Sequence, residues 1–322
     1  MAAANATGGD KMVADVELFR RLAKVDFDTG MDTVRASASD SLIFSLVIQA
    51  PEIPTPTLKE LARRTGASRI VGVPGGGTQV FRLEGASKWA STAAFCAEEH
   101  LDFAFVPTGQ RLDRVRLVSM DMDSTLITIE CVDEIADMQG LKAQIAPITA
   151  AAMRGEIDFS ESLVRRVALL SGLDVSVLEH VYTDRLALSP GAERMLASFR
   201  KVGAKTLLVS GGFSFFTERL KQRLGLDYTV SNTLEIVAGK LTGRILGPIV
   251  DAKIKADWVR KLRAGYAHDG GLAVAIGDGA NDLPMLAQAD ISIAYRAKPV
   301  VRAACTYAID YCGLDAVVNL FV

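Results

Sequence analysis

The sequence predicts an α/β protein: an open parallel sheet with helices on both faces, an all-helical segment inserted after its first strand, and a smaller α+β unit placed ahead of it. Three observations lead there. Short apolar runs at residues 115–120, 205–209 and 272–276 each end in a polar residue followed by helix-forming sequence, the alternation of a parallel sheet. The stretch between the first two runs is roughly 80 residues and reads mostly as helix, more chain than one crossover needs. Residues 40–107 order their elements β-α-β-β-α-β, the split unit of ferredoxin-like domains.

In chain order, residues 1–11 lack periodicity and read as a loose tail, and an amphipathic helix at 12–24 follows, so that 1–39 form a leading segment. A strand at 42–48, a helix at 56–65 closed by Gly66, strands at 69–73 and 79–83, a helix at 87–99 and a strand at 101–106 make the α+β unit, bounded at 40–110. The run Pro74-Gly75-Gly76-Gly77 between its two middle strands suits a hairpin turn better than a phosphate cradle. The larger unit occupies 111–322. Its helical segment, at about 131–200, holds helices at 149–154, at 159–170, where Leu163, Val164, Val167 and Leu170 recur at helical spacing, at 174–182, and at 192–201 between Ser189-Pro190 and Gly203. Such an insertion makes a cap over the crevice beyond the strand ends, where it can exclude water and choose a ligand.

Composition narrows the function. With 322 residues, about two domains are expected. Lys plus Arg number 36 against 38 for Asp plus Glu, so no excess of positive charge exists to bind nucleic acid. The longest apolar runs fall well short of the ~20 residues of a membrane helix, so no membrane association is expected. The 4 cysteines, Cys96, Cys131, Cys305 and Cys312, form no CxxC pair, and the first residues carry neither a basic nor an apolar signal region. Four buried thiols in a reducing cytoplasm are the expectation.

The chemistry gathers at the strand ends. Asp121-Met122-Asp123-Ser124-Thr125 follows the first apolar run directly, and two carboxylates two residues apart past a strand end point the same way and repel, which calls for a cation or a shared proton. A solitary DxD is commonplace. Here a second acidic group, Gly277-Asp278-Gly279-Ala280-Asn281-Asp282, closes another apolar strand, and strand ends of an open sheet share one crevice. Oxygen donors without His or Cys suit a hard cation, and Mg²⁺ is expected on Asp121, the main-chain carbonyl of Asp123 and Asp278. Ser210-Gly211-Gly212 ends the second strand and offers a hydroxyl and amides to an anion, although alone it would be read as a helix start. His100, His180 and His268 lie outside these motifs and no cysteine precedes an arginine by six positions, so phosphohistidine and cysteinyl-phosphate chemistry have no candidates.

Four motifs in order, DMDST at 121–125, VSGGFSFF at 209–216, a lysine within DAKIKADW and AIGDGANDLPML at 275–286, resemble those of the haloacid dehalogenase superfamily over residues 114–322. CVDEIAD and MRGEIDFSESLVRRVALL in the cap resemble its phosphoserine phosphatase branch. The resemblance implies a Rossmann-like sheet with a helical cap, and an ACT-like regulatory or dimerisation module at 40–110 such as the longer bacterial members carry. It implies that Asp121 is the nucleophile that becomes an aspartyl-phosphate, and that Asp123 is the general acid and base. Asp278 then matches the metal-binding aspartate, and Asp282 a carboxylate holding a metal-bound water. Ser210, Gly211 and Lys255 match the phosphate-binding positions, and Asn281 a residue that places the substrate or Lys255. Lys253 and Lys261 compete with Lys255, which is chosen by the motif alignment, 23 residues before Asp278.

The implied set is electrostatically coherent, because Mg²⁺ and Lys255 nearly offset a phosphate dianion with Asp121 and Asp278 ionised, and amides absorb the remainder. In the cap, Glu130 and Arg166 are implied as the contacts to the ammonium and carboxylate of a phosphorylated amino acid, while Met153 and Phe159 serve as apolar lining or core. The implied activity is Mg²⁺-dependent hydrolysis of phosphoserine, the closing step of serine biosynthesis. Alternatives are another small phosphorylated metabolite, phosphoryl transfer to a second alcohol, or amino-acid sensing by the leading module. A homodimer through that module is compatible with the resemblance.

Overall fold

Alternation of apolar residues on one face of each early strand builds the first sheet. The structure, a computed structural model, describes residues 44–74 and 77–322; the expected tail at 1–11, the helix at 12–24 and part of the glycine run lie outside them. The first unit runs β1 (Phe44–Ala50), α1 (Thr55–Thr65), β2 (Arg69–Val73), β3 (Gln79–Glu84), α2 (Thr92–Glu98) and β4 (Asp102–Pro107). Its strands form an antiparallel sheet in the order β2-β3-β1-β4, as the β-α-β-β-α-β reading requires, and β2 and β3 pair as neighbours on either side of the glycine run. Along β1, Leu46, Ile48 and Ala50 pack with Leu58, Leu61 and Cys96 from the two helices, whereas Val47 points the other way into the core of the larger unit. The α2 helix is shorter than its sequence suggests because Ser87 turns aside: its amide and hydroxyl both donate to Thr65 O at the end of α1, at 2.8 and 2.9 Å.

The face of this sheet away from its helices is closed by the chain's last residues. Gln49 Nε2 donates to Ala316 O at 3.3 Å, Arg82 donates to Asn319 O at 2.7 Å, and buried Asp102 accepts from the amides of Asp310 and Cys312 at 2.7 and 2.8 Å. A carboxylate sunk among backbone N–H groups satisfies donors that would otherwise be left unpaired.

The larger unit runs β5 (Val115–Met120), α3 (Cys131–Met138), α4 (Lys142–Met153), α5 (Phe159–Ala168), α6 (Ser176–His180), α7 (Ala192–Lys201), β6 (Lys205–Phe213), α8 (Ser214–Leu224), β7 (Tyr228–Val237), β8 (Lys240–Leu246), α9 (Ala252–Tyr266), β9 (Leu272–Gly277), α10 (Leu283–Leu286), β10 (Ile291–Tyr295), α11 (Pro299–Ala304) and β11 (Tyr307–Ile309). Seven strands form one sheet in the order β11-β10-β9-β5-β6-β7-β8, parallel except for β8, which pairs antiparallel with β7. The chain builds outward from β5 on one side, then returns to build the other from β9. The carboxyl end of β5 is therefore the switch point at which a crevice opens.

Helices α3 to α6 make the insertion. Its two linkers are zipped together: Thr128 N donates to Ala187 O at 3.0 Å, Ser189 N to Leu126 O at 2.9 Å and Ser189 Oγ to Thr125 O at 2.6 Å. The expected helix at 149–154 is the end of a longer α4 that contains Pro147, and the one at 174–182 starts at α6, where the Asp174 carboxylate takes the Ser176 amide, and continues in a wider helical turn over Val181–Arg185. The β7–β8 hairpin, which the apolar pattern does not reveal, reaches the insertion. Gly172 N donates to Leu241 O at 2.8 Å and Leu241 N to Leu173 O at 2.9 Å. Helix α7 packs against β6 and the C-terminal turn Leu314–Leu320, with Phe199 edge-on to Phe321. All four cysteines are buried and unpaired, and among the described residues no helix is long and apolar enough to cross a membrane.

Candidate active site

The ladder of β5 runs one residue past the strand, Asp121 N donating to Ile276 O at 3.1 Å, and this holds Asp121 beside the end of β9. Its side chain is buried; Oδ1 accepts from Met122 N at 2.7 Å and Oδ2 lies 2.8 Å from Lys255 Nζ. The chain then folds back on itself. Ser124 takes the left-handed conformation, φ 55°, and this reversal lets Ser124 N reach Ile129 O at 3.2 Å and Cys131 N reach Asp123 Oδ1 at 2.9 Å. Glu130 is carried along, its Oε1 accepting from Ser124 Oγ at 2.6 Å.

Sheet irregularity makes the second wall. On β6, Val209 pairs with Val230 and Phe213 with Asn232, so four steps along one strand match two along the other and the intervening Ser210-Gly211-Gly212 bulges into the crevice. Close approach explains the glycines. A Cβ on Gly211 would sit 2.4 Å from Phe159 Cζ of the cap, and one on Gly212 would sit 2.7 Å from Asp123 Oδ2. Gly212 N donates to Ser210 Oγ at 2.8 Å, and Asn232 anchors the bulge from behind, its Nδ2 donating to Gly211 O at 2.8 Å.

At the end of β9, Asp278 Oδ1 accepts from Thr125 Oγ1 at 2.8 Å, and Asp282 folds back so that Oδ2 accepts from Gly279 N at 3.1 Å. Lys255 comes from α9, whose first turn is capped by Asp251 accepting from Ile254 N at 2.8 Å. Of the three lysines in contention, Lys253 and Lys261 are exposed, and Lys261 lies over the Trp258 ring; Lys255 is 1% exposed and bridges Asp121 Oδ2 and Asp282 Oδ1, each at 2.8 Å. Asn281 Nδ2 points to the same Asp282 oxygen at 3.4 Å.

Electrostatics follow from this crowding. Burial alone would lower the Lys255 ammonium, but Asp121 and Asp282 outweigh it and hold the group above its ordinary pKa. Burial, then the charge of Asp282, push Asp121 well above the usual carboxylate range against the pull of Lys255. Asp278 rises to about 6, again through burial and then Asp282. Burial raises Asp123 to about 7, with Glu130 adding to it and the Cys131 amide opposing it. One lysine faces too many carboxylates. Ligand oxygens of Asp121, Asp278 and Asp282 lie within 4.8 Å of one another, and an all-carboxylate donor set fits a hard divalent cation. Asp282 thus joins the group in which the sequence places the carbonyl of Asp123.

The cap supplies the remaining residues. Arg166, on α5, is 13% exposed, and its guanidinium lies 3.9 Å from Asp133 Oδ1 of α3. Glu130 immediately precedes α3 and is raised first by burial, with the Asp133 charge adding to the rise and Arg166 opposing it, so these three charges share one patch. Phe159 meets the β6 bulge, whereas Met153 is 69% exposed and lines a cavity of about 240 Å³ between α3 and α4. Sequence reasoning assigned nothing to Thr125 as a partner of Asp278 or to Asp133. The hydroxyl in DMDST was a readable signal for the first, and the three-residue helical spacing from Glu130 for the second.

The profile of the haloacid dehalogenase-like hydrolases matches residues 118–287, and these residues include both acidic strand ends, the bulge and Lys255. The chain belongs to that family. Among the relatives of this hydrolase, a phosphoserine phosphatase of Polaromonas sp. is 50% identical over 215 residues, which is 65% of this chain and 91% of that protein. The crystal structure of a probable phosphoserine phosphatase from Vibrio cholerae, in unliganded form, superposes with a TM-score of 0.75 at 36% identity, covering 86% of this chain and 85% of that one. A substrate-bound phosphoserine phosphatase complex gives a TM-score of 0.59 at 33% identity over 65% of this chain and 99% of that one.

Two outcomes follow from the buried charges. Lys255→Met leaves Asp121 and Asp282 buried without their cation, and is expected to lower the unfolding free energy by about 3 kcal/mol at neutral pH in denaturant titrations. A divalent cation needs Asp278 ionised, and protons compete for it once the pH falls below about 6. Cation affinity measured by calorimetry should therefore weaken as pH drops through that value, by roughly tenfold or more per unit below it, since Asp121 takes up protons too.

Proposed function

We propose that this chain hydrolyses O-phospho-L-serine to serine and phosphate through an aspartyl-phosphate on Asp121, with Mg²⁺ held by Asp121, the main-chain carbonyl of Asp123 and Asp278, and with Asp282 beside it. The observation that carries this reading is the buried Asp121 carboxylate paired with Lys255 at the crevice floor, below a cap that presents Glu130 and Arg166. A relative 50% identical over 215 residues bears the name phosphoserine phosphatase.

The residues divide the work. An Asp121 oxygen attacks phosphorus as the bond from phosphorus to the serine oxygen breaks, and Asp123 gives its proton to that leaving oxygen. A group raised to about 7 is suited to both directions of transfer, so the same carboxylate then takes a proton from the water that attacks the acyl-phosphate and regenerates Asp121. Lys255, Ser210 and the amides of the bulge hold the phosphoryl oxygens, with Asn281 fixing Asp282 and, through it, Lys255. Bound Mg²⁺ supplies positive charge to the phosphoryl oxygens, as phosphate monoester hydrolysis demands. Glu130 and Arg166 take the ammonium and carboxylate of the amino acid.

The same reading extends to the leading sheet, for which residues 40–110 are assigned as an ACT-like module and 111–322 as the catalytic unit with its cap. Its strand order supports the ACT-like assignment. Pairing of subunits through this module and a cytoplasmic location complete the picture.

A phosphate-release assay over a panel of phosphorylated metabolites, with and without Mg²⁺, tests the substrate. Phosphoserine is expected to lead, with chelation abolishing turnover. Arg166→Ala should erode that lead by roughly tenfold or more, as loss of a charged contact does, and equal losses on a substrate without a carboxylate would refute its role.

A further inference from the structure

We propose that Asp133 is a specificity-determining residue of the cap: together with Glu130 it receives the substrate's ammonium, and it steers Arg166 toward the carboxylate, so that phosphorylated α-amino acids are selected over phosphorylated α-hydroxy acids. This rests on the phosphoserine reading above and deepens it.

Three observations converge on this residue. Glu130 and Asp133 are three residues apart across the first turn of α3, which places both carboxylates on one face of the helix start. Asp133 Oδ1 lies 3.9 Å from an Arg166 nitrogen, close enough for charge to act but beyond hydrogen-bond length. Both Asp133 Oδ1 and Arg166 Nε are hidden from solvent and have no hydrogen-bond partner in the protein. Buried polar atoms left unpaired are costly, and a donor and an acceptor orphaned in the same patch mark a place completed by a ligand carrying the complementary groups.

Charge identifies that ligand. Glu130 and Asp133 are two carboxylates beside the Arg166 guanidinium, with the Lys298 charge acting more weakly on Glu130, and Glu130 already spends one oxygen on Ser124 at 2.6 Å. A ligand bearing both an ammonium and a carboxylate gives each charge an opposite partner: the ammonium lies between the two acids and the carboxylate forks onto Arg166. Replacing the ammonium by hydroxyl leaves the two acids without a cation from the ligand. A site built around a polar group discriminates strongly against the analogue that lacks it.

The test compares kcat and KM for O-phospho-L-serine and for its hydroxy analogue, 3-phosphoglycerate, using the full chain with Mg²⁺ and the variants Asp133→Asn and Asp133→Glu. The parent should prefer phosphoserine, Asp133→Asn should cut that preference by roughly 30-fold, mainly through a raised KM for phosphoserine, and Asp133→Glu should recover part of it. Equal losses on both substrates, or a preference that Asp133→Asn leaves as it was, would overturn the assignment. A parent that turns over both substrates equally would instead overturn the phosphoserine reading on which the assignment stands.

Discussion

A buried ammonium, that of Lys255, organises this molecule. No lysine enters a protein interior without compensation, and here it comes from Asp121 at the end of β5 and Asp282 just past β9, both within 2.8 Å. Three segments far apart in sequence are thereby pinned to one point. The pairing also leaves the site short of positive charge, since Asp123 and Asp278 stand nearby with raised affinities for protons. That deficit is what makes the crevice a place for a cation and a phosphoryl group. The stability of the fold and the chemistry of the site are one electrostatic arrangement.

Backbone irregularities do the positioning. Three departures from regular structure surround Lys255: the left-handed Ser124, the bulge at Ser210-Gly211-Gly212 and the tight return from Gly279 to Asp282. Each brings side chains or amides to a common focus that straight strands would hold apart. The cap is joined to this focus twice, by the zipped linkers near Thr125 and Ser189 and by Phe159 against Gly211, so the cap is mechanically tied to the crevice. The leading sheet is tied in more remotely, through Gln49, Arg82 and Asp102, to the last residues of the chain.

Much of this was legible in the amino-acid order, and the exceptions have physical causes. Strands 115–120 and 272–276 stand out because strands buried on both faces are largely apolar, with Arg116 the one exposed residue of the first, and the carboxylates after them stand out by contrast. The β7–β8 hairpin escapes notice because it is an edge with mixed, partly exposed faces. Spacing cannot choose among Lys253, Lys255 and Lys261, since all three suit an exposed helix face; burial decides, and burial is a property of the assembled fold. Asp133 is hidden for a related reason. An acidic residue in the first turn of a helix is expected for the dipole alone, and only the orphaned Arg166 Nε opposite it reveals another purpose.

Whether Asp121 itself carries the phosphoryl group is decided by trapping that bond. Turnover of phosphoserine would be quenched in acid, the protein reduced with borohydride, which converts an aspartyl-phosphate to homoserine, and its peptides sequenced by mass spectrometry. Homoserine is expected at position 121, and only after exposure to substrate. Full turnover with position 121 unmodified, or the modification at another carboxylate, would contradict it.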